Sequence, residues 1–275
     1  MRKVLQHLLS DAIAHESGRS AREVHAARQE MKRARAVLRL MRGEIGKRAY
    51  RIANAAVRDA ARPLSPVRDT RVLPETLESI CRGDPQLREA HVALRAGFRT
   101  VQRQAGRQLT RQSLSHSRAS LAQVDQRLQG VRLRMPDARS ASLGMKRVYS
   151  SGRNAMDRAA GGADDKLHEW RKQVKYLSNQ AAIVKDLFDA KLNKIRRRAH
   201  KLSSLLGEDH DLARLDAKLC DLGANDAAGR EALTLRIGLK RRKLQRRARK
   251  LGKRLYRRSA KRFAAKLSRK IGRNP

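Results

Sequence analysis

Aromatic residues are scarce in this chain: one Trp, four Tyr and three Phe among 275 residues. Proteins that hold single-stranded nucleic acid without sequence preference stack successive bases on aromatic rings. Eight scattered rings provide little of that. Cysteine is scarcer still, with only Cys81 and Cys220. Two cysteines make neither a disulfide framework nor a zinc cluster, and both are expected to be small buried hydrophobes in a reducing compartment. No run approaches the ~18 apolar residues of a membrane-spanning helix. Met1 to Ala14 has no continuous apolar core or cleavage site, so no signal peptide is expected. Acid is in deficit as well: 26 Asp and Glu face 66 Lys and Arg, for a formal charge of +40.

Such an excess repels itself in any compact state, so a polyanion is the natural partner. Nucleic acid, an anionic membrane and inorganic polyphosphate are the candidates. With few aromatics, the basic surface suits phosphate more than bases. Walker loops, zinc-type Cys/His spacings and nucleophile elbows do not occur. No catalytic residue, metal or cofactor is therefore expected. His7, His15, His91, His116 and His200 stand without partner spacing.

What is abundant is helix-forming sequence, rich in Ala, Leu, Arg, Lys and Gln. Period-two alternation is rare, which predicts an all-α fold. A first amphipathic helix covers residues 1 to about 15 and is broken by Ser17-Gly18-Arg19. Ser20 and Glu23 form a capping box for a second helix to about Arg42. A third helix spans about 44–62, and Pro63 and Pro66 mark a turn. A fourth helix runs to about Cys81 and stops at Gly83-Asp84-Pro85. Residues 86–129 read as two helices. The stretch 130–143 is the poorest in helix formers and separates two halves, about 1–135 and 140–275. A helix over 143–159 follows, then one capped by Asp164 or Asp165. Residues 236–275 carry 19 Lys or Arg and no acid. Leu244, Leu251, Leu255, Phe263, Leu267 and Ile271 nonetheless keep a near-helical period there.

One pattern occurs twice. His25, Arg28 and Lys32 recur as His168, Arg171 and Lys175, offset by 143 positions. Spacings of three and four place each set on one stripe of a helix. Arg33 and Lys172 widen the two rows. A second pair of motifs, Leu64-Ser65-x-x-Arg68-Asp69 and Leu206-Gly207-x-x-His210-Asp211, follows at an offset of 142. The histidine-to-aspartate separation is 44 residues in one half and 43 in the other. Both second motifs read as turns, with Asp69 and Asp211 near helix starts. The halves therefore read as a structural repeat.

These four motifs resemble the CHAD family, the conserved histidine α-helical domain, over nearly the whole chain. The resemblance implies two four-helix bundles related by a pseudo-twofold axis around a central basic surface or pore that binds inorganic polyphosphate. The binding residues so implied are His25, Arg28, Lys32, Arg33, Arg35, Arg39, His168, Arg171, Lys172, Lys175 and Lys201. Arg68, Asp69, His210 and Asp211 would support them from the turns, and each histidine would become protonated beside the anion. A cytoplasmic protein that binds polyphosphate without turnover, on polyphosphate granules in some relatives, is the expectation. An RNA-binding protein and a polyphosphate-processing enzyme are the alternatives. The chain departs from the family at Ser178 and Asn179, where the second row often continues with Arg and Tyr, and at Ser65 and Arg71 in the first turn.

Overall fold

The computed structural model describes the chain apart from residues 16–20, 109–110, 134, 136, 220–226 and 272–275, and apart from the side chains of 21, 65–71, 86, 101–113 and 227. Among the described residues it is all-helical, with ten α-helices and no strand. These are α1 (Arg2–His15), α2 (Ala21–Ala60), α3 (Ser65–Cys81), α4 (Arg88–Gln108), α5 (Arg111–Gln129), α6 (Asp137–Arg158), α7 (Asp164–Phe188), α8 (Asn193–Lys218), α9 (Ala227–Leu255) and α10 (Ala260–Ile271). Among the described residues, no helix is long and apolar enough to cross a membrane.

Helix α2 is one ladder of forty residues broken at Gly46, whose φ of 78° and ψ of 163° only glycine adopts easily. The break between the expected second and third helices thus falls at Gly46, a few residues past Arg42. Gly43, the nearer glycine, stays helical. The expected helix over 143–159 begins earlier, at Asp137. Ser140, Ala141 and Ser142 are small enough to be buried in its first turns, so weak propensity gives way to packing. The basic C-terminal stretch forms two helices, α9 and α10. Its Phe263, Leu267 and Ile271 are buried, as their period implies.

The second expected turn is absent. Leu205 to Leu212 lies inside α8, which runs unbroken from Asn193 to Lys218. The first half breaks at the corresponding place because Pro63 and Pro66 stand there, with Pro66 opening α3. The second half has no proline at that point, so the ladder continues. His210 and Asp211 are mid-helix residues. The N-cap of α7 is Ala163, with no side-chain cap; Asp164 and Asp165 sit in the first turn, where their charge complements the helix dipole. The capping Ser20 lies outside the described residues.

Helix α2 is packed by α1 and α5 on one side and by α6 and α7 on the other, and α7, α8 and α9 pack in sequence. The α3–α4 pair leans across to α8 and α9. One apolar cluster runs through all of it, from Leu5 and Leu9 to Leu267 and Ile271. Cys81 is buried, and burial pushes its thiol up to about 11; Cys220 falls outside the described residues.

Helices α2 and α6 cross with their backbones in close approach. A Cβ on Gly144 would lie 2.5 Å from the Cα of Leu40 and 2.8 Å from its carbonyl oxygen. Gly144→Ala is expected to cost about 1–3 kcal/mol by overpacking. Gly161→Ala, with nothing within 4 Å, should stay within about 0.5 kcal/mol of the parent. Urea denaturation of the two variants checks this, and equal midpoints would contradict the close approach.

Candidate polyanion-binding site

The stripe Arg28, Lys32, Arg35, Arg39 of α2 holds its place because Val24, Ala27, Met31, Ala34 and Leu38 anchor the adjoining face of the helix in the core. On α7, Leu167, Trp170, Val174 and Leu177 do the same for His168, Arg171 and Lys175. Where α2 meets α7, Gln180 donates from Nε2 to the carbonyl of Ala36 at 3.4 Å. Beside this contact the Arg39 guanidinium lies over the Tyr176 ring, 3.5 Å from its centroid. Arg35 sits 5.9 Å from the same centroid and donates to the Tyr176 hydroxyl at 3.5 Å.

Both arginines also share one neutral acceptor. Asn54 Oδ1 accepts from Arg35 Nε at 3.1 Å and from Arg39 Nη1 at 3.0 Å. Burial, and then the neighbouring Arg35, lower the pKa of Arg39, while Tyr176, Tyr50 and Glu169 act in the opposite direction. Two guanidinium groups are thus held side by side by an amide and a phenol.

The rest of the α7 row faces α8. His168 and His210 rings lie 4.7 Å apart between centroids at 42°, and His168 Nδ1 is buried without a hydrogen-bond partner. Burial first, then the Lys172 and Arg171 charges, lower the His168 pKa against the pull of Glu169. The expected protonated ring is therefore disfavoured in the ligand-free protein. Arg171 lies against Gly207, where a Cβ would come 3.8 Å from its Nε. Lys172 pairs with Glu169 at 2.5 Å, and Gln173 donates to the same carboxylate at 2.6 Å. Although burial works against it, these bonds hold the Glu169 carboxyl below its usual range. Lys175 is half-buried and Lys201 is exposed on α8.

The two ends of the α2 row behave differently. His25 is exposed, and its Nε2 lies 3.2 Å from Gln29 Nε2. At 1.5 Å per residue it stands about 21 Å along the helix from Arg39, so the row is a track and not a pocket. Arg28 donates to the Ala61 carbonyl at 2.8 Å, just past the end of α2, and so helps close a helix C-terminus. Arg33 is exposed and pairs with Glu30 at 3.3 Å. Arg68 and Asp69 lie in α3, and their side chains are outside the described residues.

Tyr176 and Asn54 escaped the sequence reading. The tyrosine missing at position 179 stands three residues earlier, next to Lys175, and its spacing of four from Lys172 was the available signal. Asp209 escaped it too. This buried carboxylate accepts from Arg241 Nε at 3.2 Å and Gln245 Nε2 at 2.9 Å, while Arg241 also pairs with Asp164. Burial raises its pKa against those two donors. It ties α8 to α9 one residue before His210. Among the described residues, no three His, Cys, Asp or Glu side chains converge as a metal site.

The family model of the CHAD domain matches residues 3–220 of this chain. The protein belongs to the CHAD family. No curated protein matches it. The match takes in both histidine rows and all but the first residue of α1 to α8 of this CHAD domain, and leaves the whole of α9 and α10 beyond it.

Two outcomes follow from the geometry. A histidine whose folded pKa lies below its ordinary value of 6.5 leaves the unfolded chain binding more protons as pH falls. Its contribution to stability is present above about 6.5 and lost below. Urea midpoints at pH 7.5 and 5.5 should therefore separate more for the parent than for His168→Gln; parallel shifts in both would contradict the buried ring. Arg28→Ala should lose about 1–2 kcal/mol, the worth of a charge-assisted hydrogen bond half open to water, measured by the same denaturation.

Proposed function

We propose that this CHAD domain binds inorganic polyphosphate along the basic track of α2 and α7, without chemical turnover. The observation that carries the proposal is the pair Arg35 and Arg39, held together over Tyr176 with only neutral acceptors. Two adjacent cations without a carboxylate at ion-pair distance are unfavourable alone and favourable beside a phosphate chain. Arginine forks suit phosphate oxygens, and a ligand without bases needs no aromatic stack.

The reading includes a pseudo-twofold repeat of two bundles, supported at three places. Helix α7 starts at Asp164, 143 positions after the start of α2 at Ala21. The left-handed residue that stops the α2 ladder, Gly46 (φ 78°), has its counterpart 143 positions on, at Asp189 (φ 42°). Ala36 and Gln180 meet at a separation of 144, and Arg35 and Tyr176 at 141. Residues on a twofold axis touch their own repeats, so contacts at the repeat offset favour an axis between α2 and α7. Binding of this kind is consistent with residence on cytoplasmic polyphosphate granules.

The test is a binding competition at fixed salt among long-chain polyphosphate, RNA and duplex DNA, followed by salt titrations. Arg35→Ala with Arg39→Ala should weaken polyphosphate binding and make log affinity against log salt shallower by about one to two, one unit per lost phosphate contact. Arg35→Lys with Arg39→Lys should restore most of the slope, since it keeps the charges. A double alanine variant that is folded and binds with the parental slope would place the ligand elsewhere. RNA outcompeting polyphosphate would favour nucleic acid.

A further inference from the structure

The C-terminal region holds a cavity of about 410 Å³ between the start of α8, the turn joining α9 to α10, and α10 itself, with none of the α2 or α7 track residues in its lining. Its floor is apolar, with Ile195, Leu255, Phe263 and Leu267. Phe263 is stacked on Tyr149 at 4.0 Å between centroids and 12° between planes. The Tyr149 hydroxyl is aimed at the carbonyls of Leu255 and Arg258, at 3.2 and 3.0 Å. This anchors the α9–α10 turn, so the cavity is a fixed feature of the fold.

The rim is basic on every side. Lys194 and Arg198 come from α8, Arg257 and Arg258 from the turn, and Lys266 and Lys270 from α10, and no acid lines the cavity. Lys270 donates to the Lys191 carbonyl at 2.5 Å. Burial, and then Lys266 and Lys191, already lower its pKa. A second, more open hollow of about 470 Å³ shares Arg258, Lys266 and Lys270 and continues along α10 past Arg262 and Arg269, again without acid. A deeper basic pocket therefore leads into a more open basic trough.

We propose that this pocket holds the terminal phosphates of a linear oligo- or polyphosphate, with the chain leaving along α10, as a site separate from the α2–α7 track. That the ligand is a phosphate chain rests on the function proposed above; that the pocket takes a compact polyanion rests on its own lining. A terminal phosphate, like a phosphomonoester, carries about −1.5 to −2 charges near neutral pH, more than the single charge of an interior unit. Cations over a low-dielectric floor concentrate their field on such a group. The volume suits a compact ligand. The end of α9, the turn and α10, which supply most of the lining, lie beyond the residues matched by the family model.

Calorimetric titration with linear triphosphate, cyclic trimetaphosphate, ATP and long-chain polyphosphate tests this on the full chain. Linear triphosphate should bind at least tenfold more tightly than the ring, which has no end. Lys194 and Lys266 are exposed, so Lys194→Ala with Lys266→Ala should stay folded and lose triphosphate affinity tenfold or more. The Arg35→Ala, Arg39→Ala variant should keep the parental preference for linear triphosphate over the ring. Parental triphosphate affinity in the pocket variant, or equal affinity for ring and linear forms, would overturn the proposal. So would ATP binding more than tenfold tighter than triphosphate, which would make this a nucleotide pocket. Parental long-chain binding in the track variant would count against the function proposed above alone, and parental triphosphate binding in the pocket variant against the pocket alone.

Discussion

Cations in this protein have too few carboxylates to pair with, and the fold supplies backbone carbonyls in their place. The last carbonyls of a helix have no partner inside it and carry partial negative charge. Arg2 donates to Val131 beyond α5, Arg28 to Ala61 beyond α2, Arg249 to Ala159 and Ala160 beyond α6, Arg198 to Arg254 near the end of α9, and Lys270 to Lys191 beyond α7. Each contact gives a carbonyl at or near a helix end a donor and a cation an acceptor in one bond. With 66 basic residues against 26 acidic ones, this is how a large positive excess becomes compatible with a packed core.

The same economy shapes the candidate site. Acids that are present are largely engaged in structure: Asp209 with Arg241 and Gln245, Glu169 with Lys172, Glu30 with Arg33. At the α2–α7 crossing the acceptors are instead an amide and a ring. These orient guanidinium groups without cancelling their charge, which leaves the field of Arg35 and Arg39 available to a ligand. Acids paired in the scaffold and neutral acceptors at the crossing thus set Arg35 and Arg39 apart from cations such as Arg241 and Lys172.

The helical class, the two histidine rows and the approximate helix order were legible because they depend on local period and spacing. Pro63 announced a break and a break is there. The run Leu206-Gly207-Glu208-Asp209 suggested a second turn, because Gly and Asp favour turns in isolation. Burial of Leu202, Leu205, Leu206 and Leu212 on one face overrides that preference, and Gly207 gives room for Arg171. The partnership of Arg39 with Tyr176 joins residues 137 positions apart in sequence, and no local signal encodes it. Nor could spacing reveal that Arg28 faces a carbonyl, or that His168 meets His210 in partial burial. The terminal basic run read as one face of a helix; only the bend between α9 and α10 turns it into a cavity.

Under the proposed pseudo-twofold repeat, the two histidine helices, stopped at Gly46 and Asp189 and crossing near their midpoints, would form a surface without head or tail. A polymer threaded across it would present the same sequence of charges to each half only if the polymer itself reads alike in both directions. Inorganic polyphosphate does, because its backbone is the same from either end. A nucleic acid strand has 5′ and 3′ directions, so a register that suits one half misplaces its sugars in the other. Under the proposed function, the arrangement of the two helices would discriminate by the directionality of the ligand, a property that total charge cannot sense.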